Sequence, residues 1–366
     1  MNRFRSLCCA LPLLLLSITV PAKKSSGGAP ARPNIFAVAH RGCHLKGYIN
    51  ENCPAGIRMA RRYGYPAIEC DVKYTKDSVM VVMHDKTINR TMRRASDYGT
   101  IEEKVYVAQT TYEDLCKNYV LASTDPALRT PIPTLEEMLQ TCKEEGIIAM
   151  LHSRLPASYR RAQEVLGDDG WIAFCRDGKD IRAVRSFSNC LILIDFRDKP
   201  VEEALKVLRK VGGRVGQSSM RHQMMDAAYI GQLRSEGFEV QASIWRAPYE
   251  ERAMQDGVTM ELSDFWWYQT DGRKPCRRET MADRTLKRGE VIDLDLGKKT
   301  FSAVTADLWF KGAVKVTLCG RNYELTQSRF KRRTVCTRLY KKAAKLRIEA
   351  LKDTRIKNLD AALYEL

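Results

Sequence analysis

At 366 residues, with 44% hydrophobic and 29% charged side chains, the chain is long enough for two folded units, and its composition excludes an intrinsically disordered or membrane-embedded class. The formal charge of +17 is unevenly spread: from Thr285 onward 19 Lys and Arg face 9 Asp and Glu. A basic C-terminal part of this kind either meets an anionic surface or substrate or is a solvated face, and the lack of a reader motif beside the charge argues against nucleic acid as a partner.

In chain order, Arg3 and Arg5 precede an apolar run from Leu7 to Val20 that ends in Val20-Pro21-Ala22. This predicts a signal peptide over residues 1–22, and with it export to a periplasmic or extracellular compartment. The run is shorter than the ~20 residues of a membrane helix, and no other segment approaches that length, so no transmembrane segment is expected. Cys8 and Cys9 precede most of the run, which argues against a lipid anchor. Residues 23–34, rich in Gly, Ser, Pro and Lys, read as a flexible spacer.

From Ile35 short apolar runs alternate with helix-like segments: IFAVAH (35–40), AIECDV (67–72), VMVVMH (79–84), IIAMLH (147–152), WIAF (171–174), LILID (191–195), VGQSS (215–219), EVQASIW (239–245) and VTMELSD (258–264). Nearly continuous apolar strands are buried on both faces, as in a parallel sheet covered by helices. Helices are legible from Pro133-Thr134 to Glu145, stopped by Gly146, and from Val201 to Val211, stopped by Gly212-Gly213. The repeat predicts an α/β fold, a TIM-type (β/α)8 barrel over residues 35–270, with one of the nine candidate strands a short extra. A polar linker is expected over 271–285, preceded by the aromatic cluster Trp266, Trp267 and Tyr268, which is assigned to packing. Alternating strands over 286–366 then predict a small antiparallel β-sandwich, either a module that binds carbohydrate or an anionic surface, or a structural cap. Its strand-borne Trp309 and Phe310 are expected in the core.

Ten cysteines follow the predicted signal, and their scattered spacing, without a CxxC pair, favours core thiols over a disulfide framework. A hairpin bridge between Cys319 and Cys336 is the one pairing considered.

Five histidines occur, and His40, His84 and His152 each end a predicted barrel strand. In such barrels the chemistry sits at the carboxyl ends of the strands, so polar residues there are the functional candidates. Glu69 and Asp71, two apart on one strand, project from the same face; two inward carboxylates in a buried strand call for a neutralising charge, and a divalent cation supplies it. Trp245, near a late strand end, is a candidate pocket wall, whereas His44 and His222 are set apart from catalysis.

His40-Arg41-Gly42, Glu51-Asn52, Glu69-x-Asp71, TKDSVMVVMHD ending in His84-Asp85, and Asn89-Arg90-Thr91 occur in order, followed by PIPTLEEML at 131–139. Together these closely resemble the glycerophosphodiester phosphodiesterase family over residues 35–266. The resemblance implies a TIM-type barrel hydrolysing small phosphodiester or phospholipid-derived substrates. It further implies His40 and His84 as the acid/base pair, Glu69 and Asp71 as ligands of one divalent metal ion, and Arg41 on the phosphate, with Glu51, Asn52 and Asp85 in support. In the family's scheme a neighbouring substrate hydroxyl attacks first, giving a cyclic phosphate that water opens.

One position departs from the pattern. Where the family carries Glu-x-Lys, this chain has His152-x-Arg154. His152 keeps a ligand but removes a charge, which turns the expected Mg²⁺ or Ca²⁺ toward Mn²⁺ or Zn²⁺, and Arg154 keeps a phosphate-binding cation of different shape. Two alternatives follow: a sphingomyelinase-D-like or carbohydrate-active enzyme on the same barrel, or a non-catalytic protein binding a glycan or polyol phosphate.

Overall fold

The computed structural model describes residues 36–45, 47–196, 199–219, 226–244, 256–263 and 274–365. The expected signal peptide and spacer, and His222, Trp245, Trp266, Trp267 and Tyr268, lie outside the described residues.

The elements run β1 (Phe36–Ala39), α1 (Pro54–Arg62), β2 (Ala67–Tyr74), β3 (Met80–Val82), β4 (Met92–Arg94), α2 (Tyr112–Asn118), β5 (Tyr119–Leu121), α3 (Leu135–Glu145) and β6 (Ile148–His152). They continue with α4 (Pro156–Leu166), β7 (Trp171–Cys175), α5 (Gly178–Arg185), β8 (Leu191–Asp195), α6 (Val201–Val211), β9 (Val215–Ser219), α7 (Ala227–Ser235), β10 (Glu239–Ile244) and β11 (Met260–Ser263). Strands β1, β2 and β6 to β11 pair in parallel, and β1 pairs with both β2 and β11, so the eight strands close into the expected barrel. Inward side chains such as Val38, Met150, Phe174, Leu193 and Leu262 fill the lumen, while outward ones such as Ile68, Leu151 and Ile192 meet the helices. That two-sided burial is why the strands read as continuous apolar runs.

The predicted helix α3 has the stop and start signals its sequence carries. Thr134 accepts from the Glu137 amide at 3.1 Å and donates its own amide to Glu137 Oε2 at 2.7 Å, and Gly146 ends the helix at φ 61°.

The surplus strand is VMVVMH. It forms β3, antiparallel to β2 with Val72 opposite Val82, because the four residues Thr75 to Ser78 only suffice to reverse the chain. His84 therefore does not end a barrel strand; it lies two residues beyond β3, on the crossover to β6.

The C-terminal strands are β12 (Arg277–Leu286), β13 (Val291–Lys298), β14 (Phe301–Leu318), β15 (Arg321–Tyr340), β16 (Ala343–Ala350) and β17 (Thr354–Glu365). They form one antiparallel sheet, ordered β12-β17-β14-β16-β13 with β15 on β14. Strand β14 pairs with β17 through residues 302–311 and with β16 through 314–318. Gly312, at φ 139°, marks the change, and Thr354 Oγ1 accepts from the Ala313 amide beside it. Both halves contribute to one core, with Leu286, Ile292, Val304, Phe310, Val316, Ile348 and Leu359 buried together, so the sandwich is a single sheet turned upon itself.

One boundary, one side-chain placement and one bridge are corrected. The segment expected as a linker over 271–285 supplies most of β12, and the sheet starts at Arg277; as an edge strand with largely exposed side chains it shows no apolar alternation. Phe310 is in the core, but Trp309 points to the opposite face, with Lys357 Nζ 4.5 Å from its ring centre. Cys319 and Gly320, at φ 52° and 86°, make the β14–β15 turn, whereas Cys336 pairs with Thr305 at the far end of the strands, so the two cannot be bridged. Of the ten cysteines of the described residues, six are buried.

The sheet meets the barrel through Ala303, Ala362 and Tyr364, which join the barrel's outer core, and the Tyr63 hydroxyl approaches the Ser302 carbonyl at 3.5 Å. Tyr63 caps the C-terminus of α1. Because α1 runs back against the strands, this contact lies at their amino ends, away from the end where His40 and His152 sit. Among the described residues no helix is long and apolar enough to cross a membrane.

Candidate active site

The residues after β1 make a tight turn in which the Gly42 amide donates to the Ala39 carbonyl at 3.1 Å. Arg41 sits in it at φ 54°, a left-handed conformation that costs a non-glycine residue about 1–2 kcal/mol. Two hydrogen bonds hold it there: the Arg41 amide donates to Glu69 Oε2 at 3.0 Å, and its carbonyl accepts from the Asn52 amide at 2.7 Å. Asn52, itself at φ 53°, donates through Nδ2 to Asp71 Oδ2 at 3.2 Å. The HRG turn, the Glu51-Asn52 loop and the carboxylate strand are thus sewn together, with His40 buried at the end of β1.

Glu69 and Asp71 are 2% and 5% exposed, almost dry for carboxylates, and Asp71 is in register with His152 on β6. His152 Nδ1 lies 3.3 Å from Asp71 Oδ1 and 3.6 Å from Glu69 Oε1. Burial works against charge on both partners, yet their contact outweighs it, holding Asp71 below the usual carboxylate range and His152 above the usual imidazole range. On the other side of the ring, Arg176 Nη2 is 2.9 Å from Nε2. One donor atom from each of Glu69, Asp71 and His152 lies within 4.8 Å of the others, a spacing and an O,O,N donor set that fit one divalent cation.

His84 is more open, its side chain 42% exposed, and Nδ1 is 2.7 Å from Asp85 Oδ1. Asp85 in turn accepts from Arg90 Nε at 2.7 Å and Nη2 at 3.0 Å. Arg90 also donates to both oxygens of Glu51, and Glu51 Oε1 accepts from Arg41 Nη1 at 3.0 Å. Hydrogen bonding to Arg90 holds Asp85 well below its usual pKa; Glu51, although burial opposes it, is lowered by Arg90 and Arg41. The contact with Asp85 fixes the orientation of the His84 ring.

The structure therefore gathers His40, Arg41, Glu51, Asn52, Glu69, Asp71 and His152 at one end of the barrel and ties His84 and Asp85 to them. Arg41, expected on phosphate, turns its guanidinium to Glu51, with Nε 3.7 Å from Asp71. Arg154 is exposed and has Asp177 and Asp180 as its electrostatic neighbours rather than the buried carboxylates. Trp245 lies outside the described residues. Two residues were missed as site members: Arg90, although it stands in the quoted Asn89-Arg90-Thr91, and Arg176. The latter directly follows WIAFC, so the strand-end criterion would have found it had it been applied to arginine as well as histidine.

The profile of the Glycerophosphoryl diester phosphodiesterase family matches residues 40–162. Glycerophosphodiester phosphodiesterase 1 of Mus musculus is 31% identical over 133 residues, 35% of this chain and 36% of the mouse protein. The glycerophosphodiester phosphodiesterase of Bacillus subtilis (strain 168) is 29% identical over 133 residues, 36% of this chain and 44% of that protein. The match thus spans less than half the length of either relative. Among solved structures, a glycerophosphoryl diester phosphodiesterase from Parabacteroides distasonis superposes with a TM-score of 0.51 at 22% identity, over 63% of this chain and 82% of that one. An Oleispira antarctica phosphodiesterase in complex with the product sn-glycerol-3-phosphate gives 0.51 at 18% identity, over 62% and 92%. These two likenesses are of fold. The HRG turn, the carboxylate strand and His84 all lie inside the residues, 40–162, over which this chain is similar to the glycerophosphoryl diester phosphodiesterase family.

Proposed function

We propose that the barrel hydrolyses glycerophosphodiesters or related phospholipid-derived phosphodiesters. The observation that carries this reading is the meeting of Glu69, Asp71 and His152 at the end of the barrel that also bears His40, with the Asp85-oriented His84 tied to them. Breaking a phosphodiester requires a proton delivered to the leaving oxygen and one removed from the attacking hydroxyl, and two imidazoles suit both tasks near neutral pH. We assign these tasks to His40 and His84, with the attack by a neighbouring substrate hydroxyl giving a cyclic phosphate. Glu69, Asp71 and His152 would hold one divalent cation, which when bound supplies charge to the phosphoryl oxygens. The imidazole donor favours Mn²⁺ or Zn²⁺ over Mg²⁺ or Ca²⁺.

Purified protein assayed on glycerophosphodiesters with each of these four metals, beside His40→Ala and His84→Ala, tests the assignment. Metal-dependent release of alcohol or cyclic phosphate, lost in both variants, is expected; its absence with every diester overturns the proposal. We also read residues 1–22 as an export signal, on the strength of Arg3, Arg5 and the apolar run. A mature protein beginning near Lys23 outside the cytoplasm is the expected result. For the basic C-terminal sheet we retain an anionic or carbohydrate surface as the partner, supported by its charge.

A further inference from the structure

Along β14 the side chains of Val304, Ala306, Leu308 and Phe310 enter the core of the C-terminal sheet, which turns Ala303, Thr305, Asp307, Trp309 and Lys311 to its other face. The barrel covers one end of that face, at Ala303 and Ala362. Trp309 stands six residues beyond Ala303, about 20 Å along the strand, and is only partly buried. Across from it on β15 lies Arg332, and Phe330, two residues from Arg332, is partly buried as well. Lys357 Nζ lies 4.5 Å from the Trp309 ring centre and 5.4 Å from that of Phe330. Arg355, in register with Lys311, brings its guanidinium to 6.0 Å from the Phe330 ring centre. Arg332 and Arg355 have carboxylate partners in Asp307 and Asp283, whereas Lys311, Arg329 and Lys357 are exposed and, among the described residues, pair with no carboxylate.

Resting on the reading of the basic sheet as the holder of an anionic surface, we propose that this end of the sheet docks on an anionic phospholipid bilayer. Charge complementarity carries the choice: three cations without a carboxylate partner surround two aromatic rings that water still reaches. At a bilayer interface aromatic rings lie at headgroup level, and each nearby Lys or Arg is drawn to the anionic lipids, so the combination matches both layers of the partner. A stacked sugar needs a free ring face, and on Trp309 an ammonium already stands over the ring.

Flotation of the chain from Lys23 onward, without the residues read as an export signal, tests the docking. The vesicles contain phosphatidylcholine and phosphatidylglycerol in equal parts, beside vesicles of phosphatidylcholine alone. Wild type should bind only the mixed vesicles, and less as salt is raised. Each cation near the surface is worth about fivefold in affinity, so the double variant Lys311→Ala/Arg329→Ala should bind about 25-fold more weakly. Both positions are exposed, so the double substitution leaves the fold in place. As a second readout, quenching of tryptophan fluorescence by brominated phosphatidylglycerol should be weaker in Trp309→Phe than in wild type, and undiminished quenching counts against the contact. If the double variant binds the mixed vesicles as tightly as wild type, the proposal falls while the anionic-surface reading stands. Equal binding to phosphatidylcholine alone also overturns it. Capture by heparin- or dextran-agarose with no binding to vesicles puts a glycan in place of the bilayer, and binding to none of these probes overturns the anionic-surface reading as well.

Discussion

Arg90 grips Glu51 through two parallel hydrogen bonds of 2.7 Å each, across 39 residues of sequence, and with its remaining donors holds Asp85. The loop that bears His84 is thereby fastened to the loop that organises the buried carboxylates. Arg90→Ala should leave the fold in place and lower kcat on the order of 10- to 100-fold, because misplacing an acid/base group by an ångström costs that much. Arg90→Lys, which cannot form the paired contact, should recover little of the loss. Steady-state kinetics decide the matter, and an unchanged kcat in Arg90→Ala would remove the network from the mechanism.

The same network makes stability depend on pH. Glu51 and Asp85 have folded-state pKa values below their unfolded ones, so their contribution is fully present above the ordinary carboxylate range and is lost as the pH falls through the depressed values. Urea unfolding from pH 6 down to pH 2 should therefore show wild type losing its advantage over Arg90→Ala below about pH 4. A gap that stays constant over that interval counts against the arrangement.

Restoring a carboxylate at the departing position should reverse the metal preference. His152→Glu is expected to turn the site from Mn²⁺ or Zn²⁺ toward Mg²⁺ or Ca²⁺, as oxygen-only donors prefer harder ions. Competitive metal binding measured on the variant and wild type checks this, and an unaltered order of affinities contradicts it.

Gly312 carries the turn of β14 between its two partners. At φ 139° an added Cβ would also collide with the Thr354 side chain, so Gly312→Ala should destabilise the sheet by about 2–4 kcal/mol. Thermal unfolding monitored by circular dichroism would register this as a lowered Tm. A Tm equal to that of wild type would mean that the strand bends elsewhere.

Much of this architecture is legible in the residues. The barrel strands were readable because burial on both faces leaves no room for polar interruption, and Thr134 and Gly146 marked the limits of α3 by their capping chemistry. Where reading failed, the local pattern was shared by two structures. Val79 to Met83 is as apolar as a barrel strand, and only the short turn before it reveals a hairpin. Strand β12 hid in polar sequence since an edge strand buries little. Glu69, Asp71 and His40 were identifiable from strand position and residue type, whereas the pairing of Arg90 with Glu51 and of Arg176 with His152 joins segments whose proximity only the closed barrel creates.

The docking of the sheet against Tyr63 separates gripping from cutting. On the proposed function, a sheet docked at the amino ends of the strands stands apart from the groups assigned to the reaction, so whatever it is proposed to hold is not the bond to be broken. Retention at a surface and hydrolysis of a diester, both as proposed, then become independent variables: the first can be altered in the sheet without retuning the second.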